Sequence, residues 1–301
     1  DSVVTNADNI DLQIVNQKDN GVYNTDVTVS FDISDFIDDE TIFSGIKDVQ
    51  YQAYLNDKAQ TADGWSGKLS VEYVTDAHNA DELKSEAARY NDEFTIPWED
   101  VVSTSANAKN HVTVEVWATD YAGNTTDKAS IAFDFDVASP EVSVSFDGDV
   151  VNELYFNADR TVTISVTDAY FLENGYGLAQ FTGIEGASPA LGYENGWKSL
   201  GDYRYEMKFC YQTDGIKQFD VSITDAAGNK TGMDTNVPAH YRNFVIDKTL
   251  PEIISVKYYM YVNKNVMEIT SQMAKEQRYY GNDKIYAVIT LKEHNFIETD
   301  V

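Results

Sequence analysis

Short runs of strict apolar–polar alternation dominate this chain. Val27, Val29, Phe31 and Ile33 alternate with polar residues, as do Val112, Val114 and Val116, then Ile131, Phe133 and Phe135. The same period continues through Val142, Val144 and Phe146, then Val162, Ile164 and Val166, Tyr205, Met207 and Phe209, and Phe219, Val221 and Ile223. A period of two places every second side chain on one face, so each run predicts a strand half-buried against a core. Several such strands separated by turn residues predict antiparallel β-sandwiches. One stretch departs from the pattern: Ala80 to Tyr90 (ADELKSEAARY) is rich in helix formers and predicts a short helix inserted on a loop.

The alternating runs recur as larger units. Val116–Asn124 (VWATDYAGN) matches Ser222–Asn229 (SITDAAGN), and Phe135–Val142 (FDVASPEV) matches Ile246–Ile253 (IDKTLPEI). An earlier segment occurs three times, as Val29–Phe36 (VSFDISDF), Ile164–Phe171 (ISVTDAYF) and Ile289–Phe296 (ITLKEHNF). Three copies of the early strand and two of the late one imply two complete modules and the opening of a third. The predicted boundaries give a first module over 1–139 with a long middle insertion, a second over 140–250, and the N-terminal part of a third over 251–301. That last part is expected to need further strands to cover its apolar face. Pro140 and Pro251 stop the preceding strand and stiffen each junction. In the repeated turn, Asp120 and Asp225 are placed to bond the backbone of a tight reversal, and Gly123 and Gly228 to take positive φ.

The turns Thr119–Asn124 and Thr224–Asn229, the strand exit Phe244–Pro251, the Thr213-Asp214-Gly215 turn and the segment Glu293–Phe296 resemble the bacterial immunoglobulin-like domains strung along large cell-surface, adhesin-type proteins, especially those of Gram-positive bacteria. The resemblance covers 140–301 well and 10–139 more loosely, the first module departing from it between Asn56 and Asn110. It implies an all-β chain of tandem immunoglobulin-like antiparallel sandwiches in a rod-like arrangement, extracellular, at a bacterial surface or secreted. The leading expectation is a stalk or spacer whose partners are neighbouring modules of the same chain, each adding roughly 30–40 Å of reach. Two other readings share these features: a module that binds a carbohydrate or a host protein, and accessory domains of a secreted polysaccharide-degrading enzyme.

Charge narrows the field. Lys plus Arg number 22 against 50 Asp plus Glu, a net charge of −28, so nucleic acid is repelled while cationic partners and divalent metals are favoured. A solvated acidic surface accounts for the same composition. Cys210 is the single cysteine, which excludes an intrachain disulfide. No apolar run approaches the ~20 residues of a membrane span, so no membrane insertion is expected. The start Asp1-Ser2-Val3-Val4 lacks the features of a signal peptide, as expected of a mature or excised segment.

Candidate chemistry is sparse. His78, His111, His240 and His294 lie far apart, none in a metal-ligand spacing, and no nucleophile elbow, phosphate loop or dinucleotide fingerprint occurs. The chain is therefore expected not to be an enzyme, and to carry either no cofactor or only calcium. Asn124-Thr125-Thr126 is a formal glycosylation sequon, read here as coincidental. In Leu191–Tyr205 (LGYENGWKSLGDYRY), Tyr193, Trp197 and Tyr203 could form a stacking platform for sugar rings, the other reading being that Trp197 packs inside the sandwich. The sharpest expectation is calcium between modules. In an immunoglobulin-like sandwich the last strand ends at the pole that meets the next module, which brings Asp136 towards Asp168 and the Asp225–Asn229 turn. Carboxylates and carbonyls are the ligands that calcium prefers. Asp247 and Glu293 would repeat the arrangement at a second junction. Stalk rigidification of this kind in some large bacterial adhesins adds support from the resemblance. The competing account makes Asp136 a strand-end residue and Asp225 the cap of its own turn.

Overall fold

The computed structural model describes residues 10–34, 45–71, 89–99, 101–148, 154–172, 175–262, 264–276 and 284–293. Strands carry most of them, and the described helices, Ala239–Arg242 and Ser271–Lys275, are a turn or so long.

In the first unit, Ile10–Ile14, Val27–Ser34 and Arg89–Ile96 form one antiparallel sheet. A six-stranded sheet, built around Ile46–Leu55 and Asn110–Asp120, shares a core with it. Burial alternates along Val27–Ser34 and along Asn110–Asp120, as period-two sequences dictate. Val29, Phe31 and Ile33 from one sheet meet Val49, Val112, Val114 and Phe135 from the other. Tyr51 stacks on Phe94 across the interior with ring centroids 3.8 Å apart. Trp65 is fully buried, and its indole N–H donates to the Pro97 carbonyl at 2.9 Å, which satisfies the ring's one polar group. The helix expected over Ala80–Tyr90 falls mainly outside the described residues, and its end is corrected. Arg89 and Tyr90 open a strand paired to Ser34 and Ile33, because ladder bonds and the burial of Phe94 and Ile96 outweigh a weak local helix preference.

The second unit repeats the plan. Glu141–Phe146, Arg160–Thr167 and Arg204–Tyr211 lie side by side, with Ala187–Pro189 and Lys198–Gly201 along the last of them. Two three-stranded sheets cover their inner face, one containing Gly215–Gln218 and Asn243–Ile246, the other Leu178–Thr182 and Asp220–Thr224. The strand that runs unbroken from Asn110 to Asp120 in the first unit is interrupted here at Phe219. The Phe219 N–H donates to the Arg242 carbonyl at 2.9 Å, and its ring fills the core. Arg160 is also buried. Its guanidinium lies 3.7–4.4 Å from the ring centroids of Phe146, Phe156 and Phe244 and donates to the His240 carbonyl at 2.7 Å.

A third sheet contains Glu252–Val262, Asn265–Glu268 and Ile285–Lys292. Its register, Glu252 opposite Lys292, repeats Glu141 opposite Thr167. Ile253, Val256, Ile289 and Leu291 are exposed, and among the described residues no second sheet lies over them. The fold class is thus all-β: antiparallel sandwiches of immunoglobulin-like plan in series. Both Pro140 and Pro251 stand immediately before the first strand of a new sheet.

Candidate metal centre at the module junction

The trailing end of the first module is built by its last strand, Ala129–Phe135, with Val22–Tyr23 paired parallel beside it. The Asp136 N–H donates to the Tyr23 carbonyl at 2.8 Å, so the residue after the strand is held in the ladder direction and points out of the pole. The leading end of the second module is built by the residues after Arg160–Thr167 and by the Asp225–Asn229 turn.

The turn forms as its sequence requires. Asp225 Oδ1 accepts the Gly228 and Asn229 N–H groups at 2.8 and 2.9 Å, and Oδ2 accepts Asn229 Nδ2 at 3.0 Å. Gly228 has φ +99°, a conformation that costs an L side chain about 1 kcal/mol or more. The equivalent turn in the first module is almost identical, with Asn124 N–H and Nδ2 donating to the two Asp120 oxygens at 2.7 Å each.

At the junction three acids converge. One carboxylate oxygen from each of Asp136, Asp168 and Asp225 lies within 4.8 Å of the others, and all three residues are buried. Each is anchored by its own backbone surroundings. Asp136 Oδ1 accepts the Ala138 N–H at 3.3 Å and Asp168 Oδ1 accepts the Tyr170 N–H at 2.8 Å. The second oxygens, Asp136 Oδ2 and Asp168 Oδ2, accept no hydrogen bond while the acids are ionised, and a protonated Asp136 donates to Asp225. A buried carboxylate oxygen without a donor costs one to several kcal/mol, and the two acids that have one stand against a third carboxylate that repels both. Burial first, and the neighbouring acids second, push Asp136 well above the carboxylate range; burial raises Asp225 as well, and raises Asp168 to about 7. Such a cluster takes up protons or a cation. One ion touching three acids at the ~2.3–2.6 Å typical of calcium spans oxygen separations of about 4.0–4.5 Å, close to the 4.8 Å that bounds them here.

Asn229 joins the same site. Its Nδ2 donates to the Asp136 main-chain carbonyl at 2.9 Å, bridging the modules, and its Oδ1 accepts Asn24 Nδ2 at 3.1 Å. Asn20 Nδ2 reaches the Ala226 carbonyl at 2.5 Å and Lys18 Nζ the Ala227 carbonyl at 3.2 Å. A small apolar contact of Val22 with Ala169, Tyr170, Ala226 and Ala227 excludes water from the middle. The four residues named from sequence for the first junction therefore meet. The second pair stands differently. Asp247 repeats Asp136 in detail, its N–H donating to Phe156 O at 2.9 Å and its Oδ1 accepting Thr249 N–H at 3.1 Å. Glu293 follows the strand Ile285–Lys292. Among the described residues, neither belongs to a convergent group of three acids.

The aromatic stretch is placed in parts. Trp197 is half-buried, edge-on to Phe171 at 4.9 Å, and packs on the second core. The Tyr193 hydroxyl donates to Glu206, and its ring lies 5.3 Å from Lys208 Nζ. Tyr203 sits at a hairpin tip with φ +57° and an exposed ring, and its carbonyl accepts the Asp168 N–H at 2.9 Å. The tip thus braces one of the three acids. Sequence reasoning missed Tyr170, Asn110, Asn20, Asn24 and Lys18; the one available signal was the tyrosine in ISVTDAYF, where the other repeats carry Asp35 and Asn295.

No family model and no curated protein matches this chain. Among solved structures, the chain is similar to the C-terminal domain of the AgI/II polypeptide BspA of Streptococcus agalactiae, at 10% identity over 79% of this chain and 99% of that one, TM-score 0.33. It is similar also to the D00-D0 domain of intimin, at 11% identity over 79% and 99%, TM-score 0.32. A third similarity is to invasin, a bacterial integrin-binding protein, at 9% identity over 84% of this chain and 42% of that one, TM-score 0.24.

Proposed function

We propose that this chain is a spacer segment of a bacterial surface or secreted protein, non-enzymatic, in which successive sandwich modules are locked in line by a calcium ion at their junction. The carrying observation is that Asp136 of one module and Asp168 and Asp225 of the next present converging oxygens from three buried carboxyl groups, and that Asp136 and Asp168 each also hold an oxygen that accepts no hydrogen bond. Asp136, Asp168 and Asp225 would hold the ion, with Asn229 aligning Asp136 and Asp225. The ion would offset two of the three carboxylate charges that the apolar surroundings cannot solvate, and so tie two otherwise separate cores together. The net charge of −28 suits a solvated extracellular segment that concentrates divalent cations near its surface. The host-protein or glycan ligand of the adhesin reading would fall to exposed groups such as Tyr203.

The test is a calcium titration of the full chain by calorimetry, with thermal melting and small-angle scattering in calcium and in chelator. Saturating ion, at about 100 times Kd, is expected to stabilise the junction by about 2.7 kcal/mol and to narrow the spread of inter-module distances. Asp136→Asn should remove the tightest binding step. Equal melting and equal dimensions in calcium and chelator would overturn the proposal.

A further inference from the structure

We infer that Tyr170 is the residue that decides which module can dock behind the first, its socket being the loop from Ser103 to Asn110. The inference rests on the tandem reading of the chain but not on the ion. Tyr170 is 0% exposed although it lies beyond the end of its own strand, at the leading pole of the second module. Its hydroxyl accepts the Asn110 N–H at 3.0 Å, its ring lies under Lys109 Nζ at 3.8 Å, and its carbonyl accepts the Ala226 N–H at 3.2 Å. The next contact is just as specific, the Ala169 N–H donating to the Ala106 carbonyl at 2.6 Å.

The socket is preformed by the first module. Asn110 is 2% exposed; its Oδ1 accepts the Ser103 N–H at 3.0 Å, and its Nδ2 donates to the Ser103 carbonyl at 3.1 Å and to the Phe135 carbonyl at 3.3 Å. One side chain thereby pins the loop that carries Ala106 and Lys109. A phenol fits this socket because it offers an acceptor to a backbone N–H, a face to an ammonium and apolar bulk to the gap between modules.

The other positions in the repeat differ on both sides of the contact. In the aligned segments, Asp35 and Asn295 stand where the second module has Tyr170. At the trailing end of the second module, Gly215 pairs with Ile246 just as Asn110 pairs with Phe135, so Asp214 and Gly215 replace Lys109 and Asn110. Asp214 accepts the Thr249 hydroxyl at 2.7 Å, an acid where the first socket has a cation. Both sockets offer a backbone N–H, but a tyrosine module finds the cation over its ring and the loop pinned by an asparagine side chain only in the first, and the order of modules is written in this pair.

The experiment is amide hydrogen exchange on the full chain, reading Asn110 and Ala169 as junction reporters and Val114 and Ile164 as core references. Tyr170→Phe should speed exchange at Asn110 roughly five- to tenfold while the core references hold, since one junction hydrogen bond is removed. Tyr170→Asn, the residue of the third repeat, should expose both reporters in calcium and in chelator alike. Lys109→Asp, which imitates the second socket, should do the same without touching the second module. Unchanged protection at Asn110 in Tyr170→Phe, or at both reporters in Lys109→Asp, overturns the inference. If Tyr170→Asn unfolds the second module, the other two variants still decide it. Failure of these variants leaves the calcium titration untouched, and a chain blind to calcium leaves the exchange result untouched.

Discussion

At the scale of single residues, the junction puts unusual demands on ordinary side chains. Asp168 is fully buried, has one bonded oxygen and one orphan, and faces Asp136 and Asp225. Replacing it by Asn keeps the shape and the bond from the Tyr170 N–H while deleting a charge. Asp168→Asn is therefore expected to raise stability in chelator, by about 1–2 kcal/mol, and to abolish the calcium-dependent increase in melting temperature. Calorimetry in both conditions checks the two effects together; a variant destabilised in chelator and still responsive to calcium would contradict them. These acids were legible in the sequence because each follows a recognisable strand end or opens the repeated turn. Tyr170 was not, because its chief partner is a backbone N–H, which every residue but proline possesses.

Among the elements, the repeated turn shows local chemistry and tertiary use in one motif. Asp120 accepts from both Asn124 N–H and Nδ2, as Asp225 does from Asn229, so each acid satisfies a turn that would otherwise lose its donors' partners. Asp120→Ala should cost the first module about 1–2 kcal/mol in urea unfolding with no change in calcium response. In the second module the same replacement at Asp225 removes both the turn bonds and one acid of the cluster. The alternating runs marked most strands directly, including Val27–Ser34 and Asn110–Asp120. They did not reveal the break at Phe219, because the apolar period passes through it unchanged while a distant carbonyl, that of Arg242, captures its N–H. Nor did they reveal Arg89 and Tyr90 as strand, where pairing with Val27–Ser34 overrode local composition.

For the whole molecule, the three buried acids link stability to pH. Without a cation, burial holds Asp168 at about 7 against its ordinary 3.8, and raises Asp136 and Asp225 as well. The folded chain then binds more protons than the unfolded chain across that interval. The contribution is fully present below pH 4 and is lost as pH rises through about 7. In chelator, melting should fall between pH 5 and pH 8; in calcium, the ion replaces the protons and the fall should be smaller. Asp168→Asn should make the chelator profile shallower but not flat, since burial still raises Asp136 and Asp225, and that partial change separates the cluster from the general repulsion of a chain with net charge −28. A wild-type profile identical with and without calcium would count against the linkage.

The sequence by itself determined most of the strands, the recurrence of their pattern and the acidic residues that follow strand ends or open the repeated turn. Those follow from period-two alternation, turn chemistry and the position of proline, all of which act within a few residues of chain. Only the tertiary structure decided that Asp136 meets Asp168 and Asp225, that two of their oxygens find no donor, and that Tyr170 disappears into the Asn110 socket. Burial of a carboxylate or a phenol at a module end depends on what the neighbouring module places against it, and that contact joins residues far apart in the chain which no local pattern relates.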